Sequence, residues 1–483
     1  MYIPQIVLMI VALLAILLWF FGGYRAPQEK DDRLSLLAIL LGIWLIASVV
    51  LGAYTFVLQF AGIFDITIER MLFAIIIFFL VVGLFQGKVR FQKNVSIEIA
   101  MGVFMLICIL SMMRVGFVAA YPGFFSPWFT FITGYLFPFM VFLFAKHYIL
   151  SEKDVTFILR ALFYFGIYLS ITAFFEFFDL QQFVFPKYIN NPEIGTNWGR
   201  ARGPFLNAGF NGFGILAGLI SGLHLLQKKT GFAKFFHLTS LLLFFPAVFF
   251  TNTRMVYIGL LITLFVFLRW YKTSFSKWKL ISLPLAVVLI VGIVNAPRLL
   301  SPERREGGVM QLTEVDIRIA LLKKSYFFFT QQPFTGIGLA QFIPASVFSY
   351  RGPVYAVEEE IGQTLQHNLL LGIAAELGIP GFLAYLSLII LISRRLKQLK
   401  GKLPEMGIMG NNLRISILAI WCVFLEIGMF METSNNLFFN AVVFLFAGLA
   451  DGLYTRSLES GILAVQSPIR LSQSPMRIMN SHV

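Results

Sequence analysis

The chain has 483 residues, 58% of them hydrophobic and only 13% charged, where a soluble domain carries roughly 25% charged residues. That composition excludes a soluble globular protein, because water cannot cover so much apolar surface. The formal charge of +14 invites a nucleic-acid partner, but the cations are scattered through short loops between apolar runs, which argues against one.

A membrane span needs roughly 20 apolar residues, and such runs recur along almost the whole chain. They predict an all-α, polytopic membrane helix bundle of about 12–13 spans: 2–22, 35–57, 71–86, 95–113, 124–145, 155–178, 209–227, 234–251, 255–270, 280–296, 375–393, 413–432 and 437–453. The first run, Tyr2 to Phe21, has no positive charge before it and no small-residue cleavage site after it, so it reads as a retained span. Cys108 and Cys422 both lie inside apolar runs and suggest neither a disulfide framework nor a metal site.

Every second loop is basic. Arg25, Lys30 and Arg33 open the series, followed by Lys88, Arg90 and Lys93, then Lys146 and Lys153, then Lys228, Lys229 and Lys234, then Arg269, Lys272, Lys277 and Lys279. The run "SRRLKQLKGK" near residue 400 is the densest. The positive-inside rule makes these loops cytoplasmic. The chain then divides into spans over 1–178, spans with arginine-bearing external loops over 179–296, an external loop over 297–366, a His-Asn stretch and the last spans over 367–453, and a cytoplasmic tail over 454–483 that is expected to be disordered.

The opposite side carries positive charge against the rule, and there arginine dominates: Arg200, Arg202, Arg254, Arg298, Arg304, Arg305, Arg318 and Arg351. A topogenic signal has no reason to prefer arginine on the wrong face. A phosphate site does, because guanidinium is a planar fork that stays charged and pairs bidentately. Arg304 and Arg305 sit in a polar stretch and suit lipid headgroups equally well. Arg254 falls in the tight turn of "FTNTRMVYIG", where so little chain surrounds it that an anion nearby is expected. "GRARGPFLNAGFNGFG" puts Arg200 and Arg202 just before the seventh span, and Gly214, Gly218 and Gly222 then recur at every fourth residue, a spacing that lets helices pack closely.

In the long external loop, "TEVDIRIALLKKSYFFFTQQP" reads as a short amphipathic helix. Thr313 and Asp316 suit its start, Pro333 ends it, and Val315, Ile319, Leu322, Tyr326 and Phe329 form one apolar stripe. Such a helix lies on the membrane surface or packs on the bundle. At about 100° per residue Arg318 falls beside the stripe, where it could bind phosphate or simply snorkel. Gly336 and Gly338 in "QPFTGIGLAQF" suit a tight turn, though a lone G-x-G is weak evidence for a phosphate loop. "HNLLLGIAAELGIPGF" begins at His367 and is interrupted by Gly378, Pro380 and Gly381. Nine helical residues turn through about 900°, so Glu376 faces away from His367 unless the helix breaks. Glu376 therefore reads better as a structural carboxylate, and Glu358, Glu359 and Glu360 remain other candidates to orient the histidine. His367 itself fits either a catalytic imidazole or a histidine that caps a helix or fills a core.

Taken in order, these stretches resemble the O-antigen ligase and polymerase family. "HNLLLGIAAELGIPGF" resembles its His-Asn and Glu-x-Gly-x-x-Gly signature, and "RIALLKKSYFFFTQQPFTGIGLAQF" its preceding arginine, helix and P-x-x-G-x-G turn. "TNTRMVYIG" and "RGPFLNAGFNGFG" are similar to its outward arginine and its Arg-Gly and Asn stretch. The likeness runs from about residue 200 to 390. It departs at "NAGFN", where the family often has Asn-Pro-Asn, and in lacking a common tryptophan on the outer helix.

The resemblance implies a GT-C-like enzyme in the bacterial inner membrane, acting on its outer face. It implies inverting, metal-independent transfer of a glycan from undecaprenyl diphosphate to a glycan or lipid A-core acceptor, with no cofactor. The sequence contains no Asp-x-Asp. His367 would then be the general base. Arg254 and Arg318 come first for the diphosphate, then Arg202, with Arg351 weaker. Asn368, Glu376, Gly336, Gly338, Gly378 and Gly381 would position them. Two rival readings remain: a secondary transporter, whose midplane charges have little counterpart here beyond Glu426, and a cell-wall polymerase of the shape, elongation and division type, which the His-Asn signature disfavours.

Overall fold

The computed structural model describes residues 34–52, 57–58, 66–85, 94–119, 124–149, 151–272, 293, 313–352 and 364–466. The predicted spans 2–22 and 280–296, Arg298, Arg304, Arg305, the acidic run Glu358–Glu360 and the end of the tail lie outside the described residues.

Each predicted span within the described residues is a helix. In chain order these are α1 (Leu36–Val50), α2 (Ile68–Phe85), α3 (Ser96–Val115), α4 (Pro127–His147), α5 (Glu152–Phe177), α6 (Ala208–Leu225), α7 (Gly231–Phe250) and α8 (Arg254–Trp270). Then follow the loop helix α9 (Thr313–Gln331) and the helices α10 (Leu369–Gln398), α11 (Asn411–Phe430) and α12 (Leu437–Gln466). Among the described residues, 8 helices are long and apolar enough to cross a membrane. β1 (Val57–Leu58) and β2 (Ile66–Thr67) form a two-residue antiparallel pair between α1 and α2. The protein is an all-α, multi-pass membrane bundle.

Local chemistry sets the helix boundaries. Ser151 and Asp154 make a reciprocal capping box at the start of α5, satisfying two otherwise orphaned backbone donors. Asp154 also accepts the Ser35 N–H at 2.8 Å, so one carboxylate ties the starts of α1 and α5. Asn207 caps α6 by accepting from Gly209 and Phe210. Pro138 has no N–H to give, and α4 widens into a π turn over Ile132–Leu136 just ahead of it.

The packing follows the small residues. Added β-carbons at Gly214, Gly218 and Gly222 on α6 would come within 2.7, 2.7 and 2.6 Å of Leu169, Gly166 and Phe163 on α5. The four-residue glycine spacing is thus the seam on which α5 and α6 cross. Gly448 and Gly452 of α12 lie against the backbone of α4 at Phe142 and Lys146. Helices α4, α6 and α12 form the buried centre, while α3 and α7 present broad faces outward.

The two ends of the bundle differ. At one end Lys146 pairs with Glu98 and, at 2.8 Å, with Asp451, and Arg395 pairs with the same Asp451, joining α3, α4, α10 and α12. Lys228–Glu152 and Lys272–Glu405 pair there too. Among the described residues, this end holds Lys146, Lys228 and Lys272 from loops expected to be cytoplasmic. At the other, the arginine end, the Ala201 N–H donates to Phe250 O, Arg114 to Gly336 O, and Thr130 to Asn435.

Of the two placements expected for α9, on the membrane surface or packed on the bundle, the predicted stripe does not take the second: Ile319, Leu322 and Tyr326 are exposed. Ile317, Ala320, Leu321 and Phe328 pack instead, with Phe342 and Ala375, and Lys324 is buried among them over the Tyr350 ring. The helix is apolar on two faces, so periodicity alone could not choose between them. The Lys324 cation lies 4.5 Å from the centroid of the Tyr350 ring, a cation–π contact.

Candidate functional site

The site is built from four pieces that meet at the arginine end. The first is the start of α10. Asn368 is its N-cap, accepting the Leu371 N–H at 2.9 Å, and its amide donates to Met429 O at 3.3 Å on α11. His367 immediately precedes this cap, half-buried, with Nδ1 shielded from solvent. The backbone of α10 is thus fixed at the residue next to the histidine and bolted to the last turn of α11.

The second piece is Arg318. It is half-buried on α9, and its guanidinium stands 5.7 Å from the Phe430 ring at the end of α11. Met429 and Phe430 therefore link Arg318 to the His-Asn turn. The Arg318 Nε is buried with no hydrogen-bond partner among the described residues. Its pKa is pushed down, first by burial and then by the positive charge of Arg254.

Arg254, the third piece, is the first residue of α8. Helix N-termini carry partial positive charge, so this position is unfavourable for a cation. Among the described residues neither Arg254 nor Arg318 forms a salt bridge with an acid. Two guanidinium groups close enough to repel, with no acid paired to either among the described residues, form an arrangement that an anion relieves.

The fourth piece is the "GRARG" loop. Arg202 is 1% exposed, and its fork is spent inside the loop: it donates to the carbonyls of Ile189, Asn191 and Ile194 at 2.7, 2.6 and 2.6 Å. Glu176 accepts the Arg202 and Gly203 backbone N–H groups. Both terminal nitrogens of the Arg202 guanidinium are thus occupied by backbone carbonyls, and its Nε is buried with no hydrogen-bond partner among the described residues. Arg200 is the arginine left over. Burial pushes its pKa down, and the Tyr257 hydroxyl beside it opposes the shift. Tyr257 lies one turn from Arg254 on α8. Nothing in the sequence separates the two arginines, because the three carbonyls that claim Arg202 lie 8 to 13 residues upstream.

The glycine motifs form a clasp rather than a phosphate loop. Gly378 interrupts α10 with φ 67°, a left-handed conformation that glycine adopts without steric cost. The turn after α9 docks into that break. Ile337 N–H and Gly338 N–H donate to Ala375 O and Glu376 O at 2.9 and 2.8 Å, and Ile379 N–H donates to Pro333 O at 2.7 Å. The Glu376 carboxylate accepts the Ala340 and Phe342 N–H groups at 2.9 and 3.1 Å. Gly336, at φ 60°, lies against the Glu376 backbone, where no side chain would fit. Gly381 is buried against Leu377. Glu376 thus points at the turn, not at His367. Arg351 is exposed, donates to Tyr350 O at 3.2 Å, and is not drawn into the cluster.

The fold defines a multi-pass helical membrane protein, and among the described residues Arg254 and Arg318 at this end form no salt bridge with an acid. The O-antigen ligase family model matches residues 239–386, which span Arg254, Arg318, His367 and the clasp. No curated protein matches the chain. Among the described residues no three His, Cys, Asp or Glu side chains are grouped to hold a metal ion.

Proposed function

We propose that this protein transfers a glycan from undecaprenyl diphosphate to an acceptor hydroxyl on the outer face of the bacterial inner membrane, as an O-antigen or exopolysaccharide ligase or polymerase. The observation that carries the reading is the Arg254–Arg318 pair: two half-buried guanidiniums at one end of the bundle, with no salt bridge to an acid among the described residues, and Arg318 linked through the end of α11 to the His367 turn. A diphosphate supplies the missing negative charge. Its polyprenyl tail stays in lipid, which accounts for a site at the rim of the spans. Arg200 sits on the same side, near Tyr257, and joins the cluster in place of Arg202.

In this scheme His367 accepts the proton of the acceptor hydroxyl as its oxygen attacks the anomeric carbon. The C–O bond to the diphosphate breaks on the opposite face, inverting the centre. Charge builds on the departing diphosphate, and Arg254 and Arg318 stabilise it more strongly there than in the ground state. Asn368 holds the turn that presents His367. Glu376, Gly336, Gly338, Gly378 and Gly381 hold α9 against α10 and so set the distance between arginine and histidine. Arg202 serves by holding its loop.

The test is transfer by the purified protein in lipid nanodiscs, with an undecaprenyl-diphosphate-linked glycan and either a second lipid-linked glycan or lipid A-core as acceptor. The expected result is a lengthened or acceptor-linked product in wild type and none with His367→Ala of unchanged thermal stability. Undiminished turnover by that variant would remove His367 as the base.

A further inference from the structure

We propose that Trp198 is a stacking platform for a pyranose ring of the glycan next to the diphosphate, an inference that rests on the glycosyl-transfer reading above. Trp198 is 45% exposed, in a loop segment whose other exposed residues are Asn191, Pro192, Glu193, Gly195, Thr196 and Gly199. The exposed aromatics that suit a membrane interface, Phe183 and Phe185, sit earlier in the loop. Trp198 stands apart from them among polar neighbours.

The ring is held in place on one side. The Arg202 guanidinium lies 4.6 Å from its centroid, and Arg202 is itself immobilised by three carbonyls at 2.6–2.7 Å. The backbone around the ring is fixed as well. The Asn197 side chain accepts the Ala208 N–H, Thr196 N–H donates to Leu206 O, and Arg200 N–H donates to Asn197 O. A large aromatic with one face pinned and much of its surface open is the surface against which the C–H face of a sugar stacks. The Thr196 and Asn207 side chains, hydrogen-bonded to each other at 3.1 Å, lie in the same loop and offer polar groups to sugar hydroxyls. Two residues of chain reach at most about 7 Å, so the platform lies within a sugar's length of the Arg200 backbone. A ring stacked on Trp198 would thus lie beside the cation cluster, as a sugar close to the diphosphate must.

The test is saturation-transfer NMR on the protein in lipid nanodiscs. The probe is the oligosaccharide released from its lipid carrier by mild acid, so that no turnover and no diphosphate are needed. Wild type is expected to transfer saturation to ring C–H protons of the sugar. Trp198→Ala should weaken that binding roughly tenfold, as expected for loss of one aromatic contact, and Trp198→Phe should restore most of it. If Trp198→Ala lowers the thermal midpoint, Trp198→Leu, apolar but not aromatic, takes its place with the same expectation. Equal binding by wild type and by the alanine or leucine variant overturns the platform. So does bromolipid quenching of the fluorescence that Trp198→Phe removes, which would make the ring a membrane anchor. His367→Ala and Arg318→Ala should abolish transfer yet keep oligosaccharide binding. Failure of the transfer reading and failure of the platform are therefore separate results.

Discussion

Glu376 offers the sharpest separation between a structural and a catalytic carboxylate. It is buried, and its two oxygens accept the backbone N–H groups of Ala340 and Phe342 at 2.9 and 3.1 Å. Alanine leaves both donors unpaired in a site with little room for water. At about 1–3 kcal/mol for each orphaned donor, Glu376→Ala should cost about 2–6 kcal/mol. Glutamine keeps one acceptor and turns an NH₂ toward the other N–H, so Glu376→Gln should cost about 1–3 kcal/mol. Thermal unfolding in detergent reads the loss. Limited proteolysis localises it, because the turn over 333–342 should become the first site of cleavage. In the stable fraction at low temperature the pH dependence of transfer should keep its wild-type shape. The reasoning fails if Glu376→Gln leaves stability untouched and instead moves the pH–rate profile, since the carboxylate would then be tuning the histidine.

Replacing either guanidinium by an ammonium keeps the charge and loses the fork. Arg318→Lys and Arg254→Lys should each lower kcat/KM by roughly 10–100-fold, the worth of about one or two charge-assisted hydrogen bonds, with unfolding unchanged. Arg202→Lys should do the reverse, lowering the thermal midpoint because a single ammonium nitrogen cannot occupy the two separate positions from which Nη1 and Nη2 reach the three carbonyls. Burial pushes the Glu432 carboxyl up to about 7 from 4.5, opposed by hydrogen bonds from Ser434 and Thr433 and by Gln366. The folded protein then binds that proton more tightly than the unfolded chain, so this contribution to stability is full below pH 4.5 and is lost as pH rises through about 7. Glu376, Tyr135 and Tyr385 also face Glu432, so the check is a comparison: the midpoint of wild type should fall between pH 5 and 8 by more than that of Glu432→Gln, about as expected for one titrating group. Gly218→Ala would put a β-carbon 2.7 Å from the Gly166 Cα, and overpacking of that kind costs about 1–3 kcal/mol; equilibrium unfolding measures it.

What the sequence discloses here is what depends on local pattern. Span positions follow from runs of apolar residues, the sorting of helix ends from lysine-bearing loops, and the α5–α6 seam from Gly214, Gly218 and Gly222. Arg254 stands out because it is charged where the chain has room only for a turn. Asn368 is legible too, as a capping residue directly before an apolar helix. What stayed hidden depends on contacts distant in sequence. Glu376 finds its donors 34 and 36 residues upstream, across a turn whose path no periodicity gives. The packed face of α9 is chosen by Phe342 and Ala375, which lie beyond the helix. Arg202 and Arg200 are adjacent in pattern, yet it is Arg202 whose guanidinium meets three backbone carbonyls. The Lys146–Asp451 pair joins residues more than 300 apart, and only the bundle brings them together.

The central claim is that Arg254 and Arg318 hold a diphosphate. The most direct test compares undecaprenyl diphosphate with undecaprenol for binding to the protein in nanodiscs, at one fixed salt concentration. Wild type should prefer the diphosphate strongly, and Arg254→Gln combined with Arg318→Gln should bind the two lipids alike. A double variant that keeps the full wild-type preference would contradict the account.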